Sequence, residues 1–470
     1  MTGCMFEAGK EGNGDSRLEL PPGFRLGGTK MSYKVFLPPR DCRSASWAAI
    51  LACASFALAF GQTENVLYRF QGASDGSSPS AALVADRAGN LYGTTAYGGG
   101  TNCNFYGSMG CGVVFQLAPQ VGGGRIETVL YRFQGGADGA SPGGVTLDGE
   151  GNLYGTTVAG GTGPDCFVNM TGCGTVFKLT RPTVPGSAWT QTVLYSFQSG
   201  SDGAVPTGLV AGKDGHLYGV TTQGGSHMWG TVFKVTRPSA PGSPWTKTVL
   251  YNFKGIPPGG AFGDGATPIS LTFDELGNLY GTTSWGGIYS GGEGGGAWGT
   301  VFELTPPSQP GGNWNYIVLH RFTDYLQNPV SGVVIDKSGM VYGTTYTAVF
   351  ELIPGTAIPI HLFTGGSDGT YPYGGVILDG VGNLYGTCIG GGQSSRGIVY
   401  KLTRPARTGQ AWVETILHDF TGSPDGDSPD APLFLGYNGV LYGTTLRGGN
   451  QGCQLSGGEI GCGTVFNIVP

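Results

Sequence analysis

Residues 90–95 read Asn-Leu-Tyr-Gly-Thr-Thr, and the chain returns to this phrase six more times. It stands as NLYGTT at 152–157, HLYGVT at 216–221, NLYGTT at 278–283, MVYGTT at 340–345, NLYGTC at 383–388 and VLYGTT at 440–445. Self-similarity on this scale marks a repeat architecture and decides the fold before any single segment is read.

Around the phrase each repeat has four apolar segments in fixed order. The first resembles Leu83–Asp86, Val145–Asp148 or Val376–Asp379, and a tight turn such as DRAGN or DGEGN follows it. The second is the LYGTT phrase, trailed by a glycine-rich loop of variable length. The third is GTVFKL or a variant, at 174–179, 230–235, 299–304 and 463–468. A proline-rich connector with a tryptophan (Trp189, Trp245, Trp314, Trp412) leads to the fourth. That segment ends at Phe70, Phe133, Phe197, Phe253, Phe322, Phe363 and Phe420. The segments are short, rich in Val, Leu, Tyr, Phe and Thr, and bounded by Gly, Pro, Asp or Asn. This is a strand signature without helical spacing.

Both faces of each strand carry apolar residues, so every sheet must be covered on both sides. Radial stacking of four-stranded sheets meets that demand and leaves only short edges. The chain therefore reads as all-β, a seven-bladed β-propeller of four-stranded antiparallel blades spanning 62–470. The first segment after residue 62 is of the fourth type, NVLYRF at 65–70, and the last three are of the first, second and third types. The last blade is thus expected to take three strands from the C-terminal end and one from the N-terminal end, which closes the ring. The mid-strand glycines, Gly93 and its six equivalents, are expected to receive a neighbouring blade's aromatic ring, such as that of Phe115 or Phe177.

The repeat resembles the tandem repeat called GloVer, found in secreted or surface-anchored bacterial proteins. The LYGTT phrases, the Gly-Gly after them and the GTVFKL segments carry the resemblance, over nearly all of 64–470. The resemblance implies an extracellular setting but no particular chemistry. Members often end in a sorting or anchoring segment, whereas this chain ends at Phe466–Pro470 without an apolar tail.

Residues 1–30 are polar, glycine-rich and outside the repeat, and read as a disordered or non-native extension. From Met31 the chain has a basic flank (Lys34, Arg40, Arg43), an apolar run at 45–60 and the small-residue pattern Ala57-Leu58-Ala59. Residues 31–61 therefore read as a secretory signal peptide. After its removal no membrane span is expected, and a monomer in an extracellular, periplasmic or surface setting is. Cysteines support export. Cys103 and Cys111, Cys166 and Cys173, and Cys453 and Cys462 fall pairwise in corresponding loops, which points to three local disulfides. Cys388 replaces a repeat threonine and reads as a lone buried thiol.

Charged residues are 12% of the chain and the net charge is -6, with no basic stripe, so nucleic acid is excluded as a partner. No Ser-His-Asp pattern, GxSxG or HExxH occurs. His320, His361 and His418 stand where other repeats have tyrosine and read as packing variants. Asp86, Asp148, Asp274, Asp336 and Asp379 read as turn-forming. A second set, D-G-x-x-P, holds Asp75, Asp138, Asp202, Asp264, Asp368 and Asp425 near the expected channel mouth. With no cofactor otherwise implied, a calcium ion could be held here, best at Asp425 and Asp427. Tyr97, Phe105, Phe167, Trp229, Trp285, Tyr289 and Trp298 lie in the glycine-rich loops and are the candidate ligand contacts. The function expected is non-enzymatic binding of an extracellular polysaccharide or protein through this long-loop face. A carbohydrate-active lyase or hydrolase using loop carboxylates, or a purely structural surface protein, is the alternative. N-terminal sequencing of exported protein is expected to begin near Phe60 or Gln62; a mature chain that retains Met1 overturns the signal-peptide reading.

Overall fold

The computed structural model describes residues 64–470 apart from 101–102, 106–107, 123, 165, 167–171, 241, 257–261, 289–296, 310, 324–325, 408 and 454–459. The expected N-terminal extension and signal peptide, at 1–30 and 31–61, lie outside the described residues. Seven four-stranded antiparallel sheets make up the ring. Blades 1 to 6 follow in chain order, with second strands at Leu91–Thr95, Leu153–Ala159, Leu217–Gln223, Leu279–Trp285, Val341–Thr344 and Leu384–Cys388. Blade 7 combines Phe434–Leu435, Leu441–Thr445 and Thr464–Ile468 with Glu64–Arg69 from the other end of the chain. In register, Glu64 faces Ile468 and Arg69 faces Thr464. The 3+1 closure expected from segment order is what the sheets show.

Among the described residues no single central core is found. Instead seven apolar clusters occupy the seams between successive blades, and one of them joins Tyr442 and Val465 of blade 7 to Leu91 and Phe115 of blade 1. The heart of each seam is an edge-to-face aromatic pair. The phenylalanine ending one blade's fourth strand meets the ring in the next blade's third strand. The pairs are Phe70–Phe115, Phe133–Phe177, Phe197–Phe233, Phe253–Phe302, Phe322–Phe350, Phe363–Tyr400 and Phe420–Phe466, with centroids 5.0 to 5.3 Å apart. Such pairs add about 0.5–1.5 kcal/mol each beyond their buried area. The repeat tyrosine also packs across a seam: Tyr92, Tyr154, Tyr218 and Tyr342 meet Trp189, Trp245, Trp314 and Trp412 of the following blade.

The mid-strand glycines do receive aromatic rings, but from their own blade, which corrects the sequence expectation. Gly93 is the register partner of Phe115 on the adjacent strand, and a Cβ on Gly93 would lie 2.6 Å from the Phe115 ring. The glycine lets that ring lie down over its own sheet, where its edge is presented to the preceding blade. Opposite the same ring every fourth strand carries a bulge, as at Leu67 between Val66 and Tyr68.

Two threonines of the phrase hold the inner and middle strands. The first reaches the next blade's inner strand: Thr94 Oγ1 donates to the Gly143 carbonyl (2.8 Å) and Thr282 Oγ1 to that of Ser331 (2.7 Å). The second pairs with the third strand, as in Thr157–Thr175 and Thr445–Thr464, both 2.9 Å. The first aspartate set is structural. Asp86 accepts from the Ala88 and Asn90 amides, the Asn90 side chain and the Tyr92 hydroxyl. Burial opposes its ionisation, but these hydrogen bonds outweigh that and lower its pKa.

All three disulfides form, Cys103–Cys111, Cys166–Cys173 and Cys453–Cys462, and Cys388 is a buried free thiol. Gly72 leaves room for the last pair, since a Cβ there would sit 2.6 Å from both sulfurs. Among the described residues no helix is long and apolar enough to cross a membrane.

Tyr400 is the exception among the third-strand rings. Its hydroxyl is buried without a hydrogen-bond partner, in a place where six blades have phenylalanine. Tyr400→Phe is therefore expected to stabilise the fold by about 1–2 kcal/mol in urea unfolding, the cost of an unpaired buried hydroxyl.

Candidate functional site

The D-G-x-x-P loops link fourth strands to the next first strands and share a face with the glycine-rich loops, as bridges such as Ser77–Tyr97, Pro329–Thr345 and Asp427–Arg447 show. Their construction recurs. Asp75 accepts from the Tyr68 hydroxyl (2.8 Å) and the Gln71 amide (2.9 Å), and Asp138 and Asp202 repeat this with Tyr131 and Tyr195. The residue before the proline has positive φ in every blade: Ser78, Ser141, Val205, Thr267, Asn328, Tyr371 and Ser428. At six of these its amide donates across the seam, as from Ser78 to the Cys462 carbonyl (3.0 Å) and from Val205 to that of Cys173 (2.9 Å). The proline then fills space left by a glycine of the preceding blade; a Cβ on Gly463 would lie 2.6 Å from Pro79 Cδ. The loop is an inter-blade clasp. Four of its aspartates, Asp75, Asp138, Asp202 and Asp264, accept from fourth-strand tyrosines, whereas Asp368 meets Thr364 and Asp425 meets His418.

The residue after each proline lies in the inner strand or leads into it, and approaches the ring axis. These positions are Ser80, Gly143, Thr207, Ile269, Val330, Tyr373 and Asp430. A cavity of about 510 Å³ is lined by Ser80, Ile269, Val330, Tyr373 and Asp430, with Ser270, Ser331 and Tyr346 among the others. Blade 5 has the shortest second-to-third connection, 345–347, and Tyr346 sits in it. Tyr346, Tyr371 and Tyr373 form an aromatic trio with centroids 5.7 to 6.4 Å apart. Tyr371 is half-exposed at 48%. Asp430 is the one carboxylate among the lining residues, and burial raises its pKa. Burial raises that of Tyr373 too, helped by Tyr346, Tyr371 and Asp430.

Blades 2 to 5 supply the stretch that decides the relationship. Residues 166–349 match the Gloeobacter/Verrucomicrobia repeat. It is the repeat that the LYGTT and GTVFKL phrases resemble. No curated protein matches the chain in sequence. Solved structures match it at low identity. One is a protein from Bacteroides uniformis provisionally called a 6-phosphogluconolactonase (18% identity, 72% of this chain and 84% of that one, TM-score 0.45). Another is the extracellular domain of a provisionally assigned hybrid two-component system from B. thetaiotaomicron (11%, 86% and 39%, TM-score 0.48). A third is a gluconolactonase from Xanthomonas campestris (13%, 69% and 85%, TM-score 0.39).

The loop aromatics expected to contact ligand are spread over the repeats. Tyr97 is half-buried in the bridge to Ser77. Trp229 and Trp285 are exposed at 47% and 51%; the Trp229 ring lies over Gly255. Trp298 packs against the seam of blades 4 and 5, with its indole N–H buried and unpartnered. Phe105 belongs to a short strand pair, Asn104–Phe105 with Ser108–Met109. Phe167 and Tyr289 lie outside the described residues. Among the described residues no ring contact joins Trp229, Trp285 and Trp298. Asp425 and Asp427 have separate partners: Asp425 meets His418 and Thr421, and Asp427 meets Arg396 and Ser428. The trio and Asp430 lay outside the sequence reading, because Tyr373 and Asp430 stand after the proline, where no two repeats share a residue type, and no other repeat has tyrosine at the positions of Tyr346 and Tyr371.

A larger cleft of about 800 Å³ opens on the opposite face, between blades 3 and 4, by Lys213, Asp214, Lys234, Asp274 and Trp314. Its central groups are already engaged with one another. Asp214 accepts from Tyr218 (2.7 Å) and Lys234 (3.2 Å), and Trp314 packs on Tyr218. The smaller axial cavity, with a carboxylate that makes no hydrogen bond among the described residues, is the better candidate site.

One seam couples the clasp to pH. Burial pushes the Glu127 carboxyl up to about 7 from 4.5, with the Asp75 charge adding and Arg132 opposing. Glu127 Oε1 and Asp75 Oδ1 are both buried without partners. Between those two values the folded protein keeps a proton that the unfolded chain releases, so this group's stabilisation is full below about 4.5 and lost as pH rises through about 7. Glu127→Gln is expected to match wild type at about pH 4 and to exceed it by about 1 kcal/mol at about pH 8 in urea unfolding, the small figure allowing for partial exposure.

Proposed function

We propose that the protein is a secreted, non-enzymatic propeller that binds an extracellular polysaccharide through the face bearing the glycine-rich loops. The observation that carries this is the axial cavity, where Tyr346, Tyr373 and a lone carboxylate converge, with Tyr371 packed against the two rings. Aromatic faces suit the C–H faces of sugar rings, while Asp430, Ser270 and Ser331 offer hydrogen-bonding groups beside them. The short blade 5 loop leaves the trio accessible from that side, and the long loops that carry Trp229 and Trp285 would extend contact along a chain. Three disulfides fit life in an oxidising compartment. Hydrolysis of a glycosidic bond ordinarily uses two carboxyl groups about 5–10 Å apart. The described cavity lining offers one, Asp430, which favours binding over cleavage.

A glycan array followed by calorimetry tests this. The expected result is binding of at least one polysaccharide class, weakened at least about tenfold by Tyr373→Ala, since losing a stacked ring costs about 1–3 kcal/mol. Release of reducing or unsaturated ends from the bound glycan would instead establish the enzyme reading. No binding across the array, or binding untouched by Tyr373→Ala and Asp430→Asn, overturns the axial site.

A further inference from the structure

The strand that closes the ring brings an acid with it. Glu64 is the first residue of Glu64–Arg69 and pairs with Ile468 in blade 7. Its side chain meets His418 and Asp425, from the fourth strand of blade 6 and the clasp beyond it. One ligand atom from each of the three lies within 4.8 Å of the other two. His418 Nε2 is 3.2 and 3.3 Å from the two Asp425 oxygens. Thr421 orients Asp425, donating to Oδ2 from its amide (2.8 Å) and its hydroxyl (3.1 Å). Glu64 Oε1 is buried and has no hydrogen-bond partner.

The other seams show what this place does without such a group. The position of His418 is tyrosine in Tyr68, Tyr131, Tyr195 and Tyr251, and each donates its hydroxyl to the clasp aspartate. The position of Glu64 is filled variously by Gln191, Lys247 and Tyr316, and each donates to the aspartate's side chain or backbone. In these seams the third position donates to the clasp, as an ion pair at Lys247–Asp202, although Asp138 Oδ1 stays buried and unpartnered. Where histidine and the clasp aspartate occur together, glutamate joins them. His361, Asp368 and Glu414 form the set at the seam of blades 5 and 6, with His361 Nε2 3.5 Å from Glu414 Oε1 and both atoms lacking a hydrogen-bond partner. In both sets the aspartate follows the histidine by the same interval, and a threonine one residue after the strand's phenylalanine orients it: Thr364 Oγ1 donates to Asp368 at 2.8 Å. His320 lacks the D-G-x-x-P aspartate, and there the third position is Ala357. Glu127 shows the remaining case, two carboxylates with Tyr68 and no nitrogen donor.

We propose that Glu64, His418 and Asp425 bind a divalent metal ion of the zinc class at the seam of blades 6 and 7, with His361, Asp368 and Glu414 as a second, looser site. One imidazole and two carboxylates suit zinc, which takes nitrogen at about 2.0–2.1 Å and oxygen at about 2.0–2.2 Å in a tetrahedral shell with room for a solvent ligand. Calcium is disfavoured because it draws on six to eight oxygen ligands. The ion would neutralise two adjacent half-buried acids. It would also tie the N-terminal strand to blade 6, a connection that β-pairing with blade 7 does not make.

The test uses the untagged full chain, dialysed against chelator and titrated with zinc alone by calorimetry, with thermal unfolding in parallel. At least one equivalent should bind and raise the unfolding midpoint. Glu64→Gln should weaken the site at least about tenfold, the scale of losses at metal sites. His418→Tyr should lose one equivalent outright. That variant recreates the Tyr68–Asp75–Glu127 seam, so it should fold and keep the wild-type midpoint in chelator. No zinc binding by the wild-type chain overturns the proposal, as does undiminished stoichiometry and affinity in both variants.

Discussion

An edge-to-face contact between two aromatic rings, made once at every seam and between phenylalanines at six of the seven, sets the geometry of this protein. Each ring lies over a glycine of its own sheet and offers its edge to the last phenylalanine of the preceding blade. A side chain in place of Gly93 would lift Phe115 off its sheet, and the preceding blade would lose its fixed approach. The seam clusters depend on this, since each gathers its leucines and valines around that pair. Because no core lies at the centre, stability is distributed around the perimeter and the axis is left to other uses.

That division explains how the repeat can be so constant and its axis so varied. The clasp spends its aspartate on a tyrosine hydroxyl, its backbone amide on the neighbouring blade and its proline on a glycine. The residue beyond the proline has no such duty. Glycine, threonine, isoleucine, valine, serine, tyrosine and aspartate all occur there. Chemistry is placed where the architecture makes no demand, and the ring becomes asymmetric at blades 5 to 7 without any change in how blades pack.

The architecture could be read from the chain because each structural demand is repeated. The LYGTT phrase, the terminal phenylalanines and the order of segment types led directly to seven blades and to the shared one. What the glycines accept was misassigned, since sequence shows that a ring is needed but not whether its strand belongs to the same blade. The site was hidden for the opposite reason. Tyr373 and Asp430 occupy positions without a repeated type, and a repeat-based reading passes over them. His418 was visible as a departure from tyrosine, but its neighbour Glu64 stands at the far end of the chain, and only ring closure unites them.

The shared blade also fixes an order of events for a growing chain. Glu64–Arg69 is synthesised before every other strand of the ring, yet its mate, Thr464–Ile468, arrives last. A polypeptide interrupted anywhere between the two keeps an orphan strand and one uncovered flank. Such fragments would be sticky and prone to capture by proteases, or to trading strands with a second copy. Translation through Ile468 is thereby checked: only then can the first strand of the ring be covered by its mate.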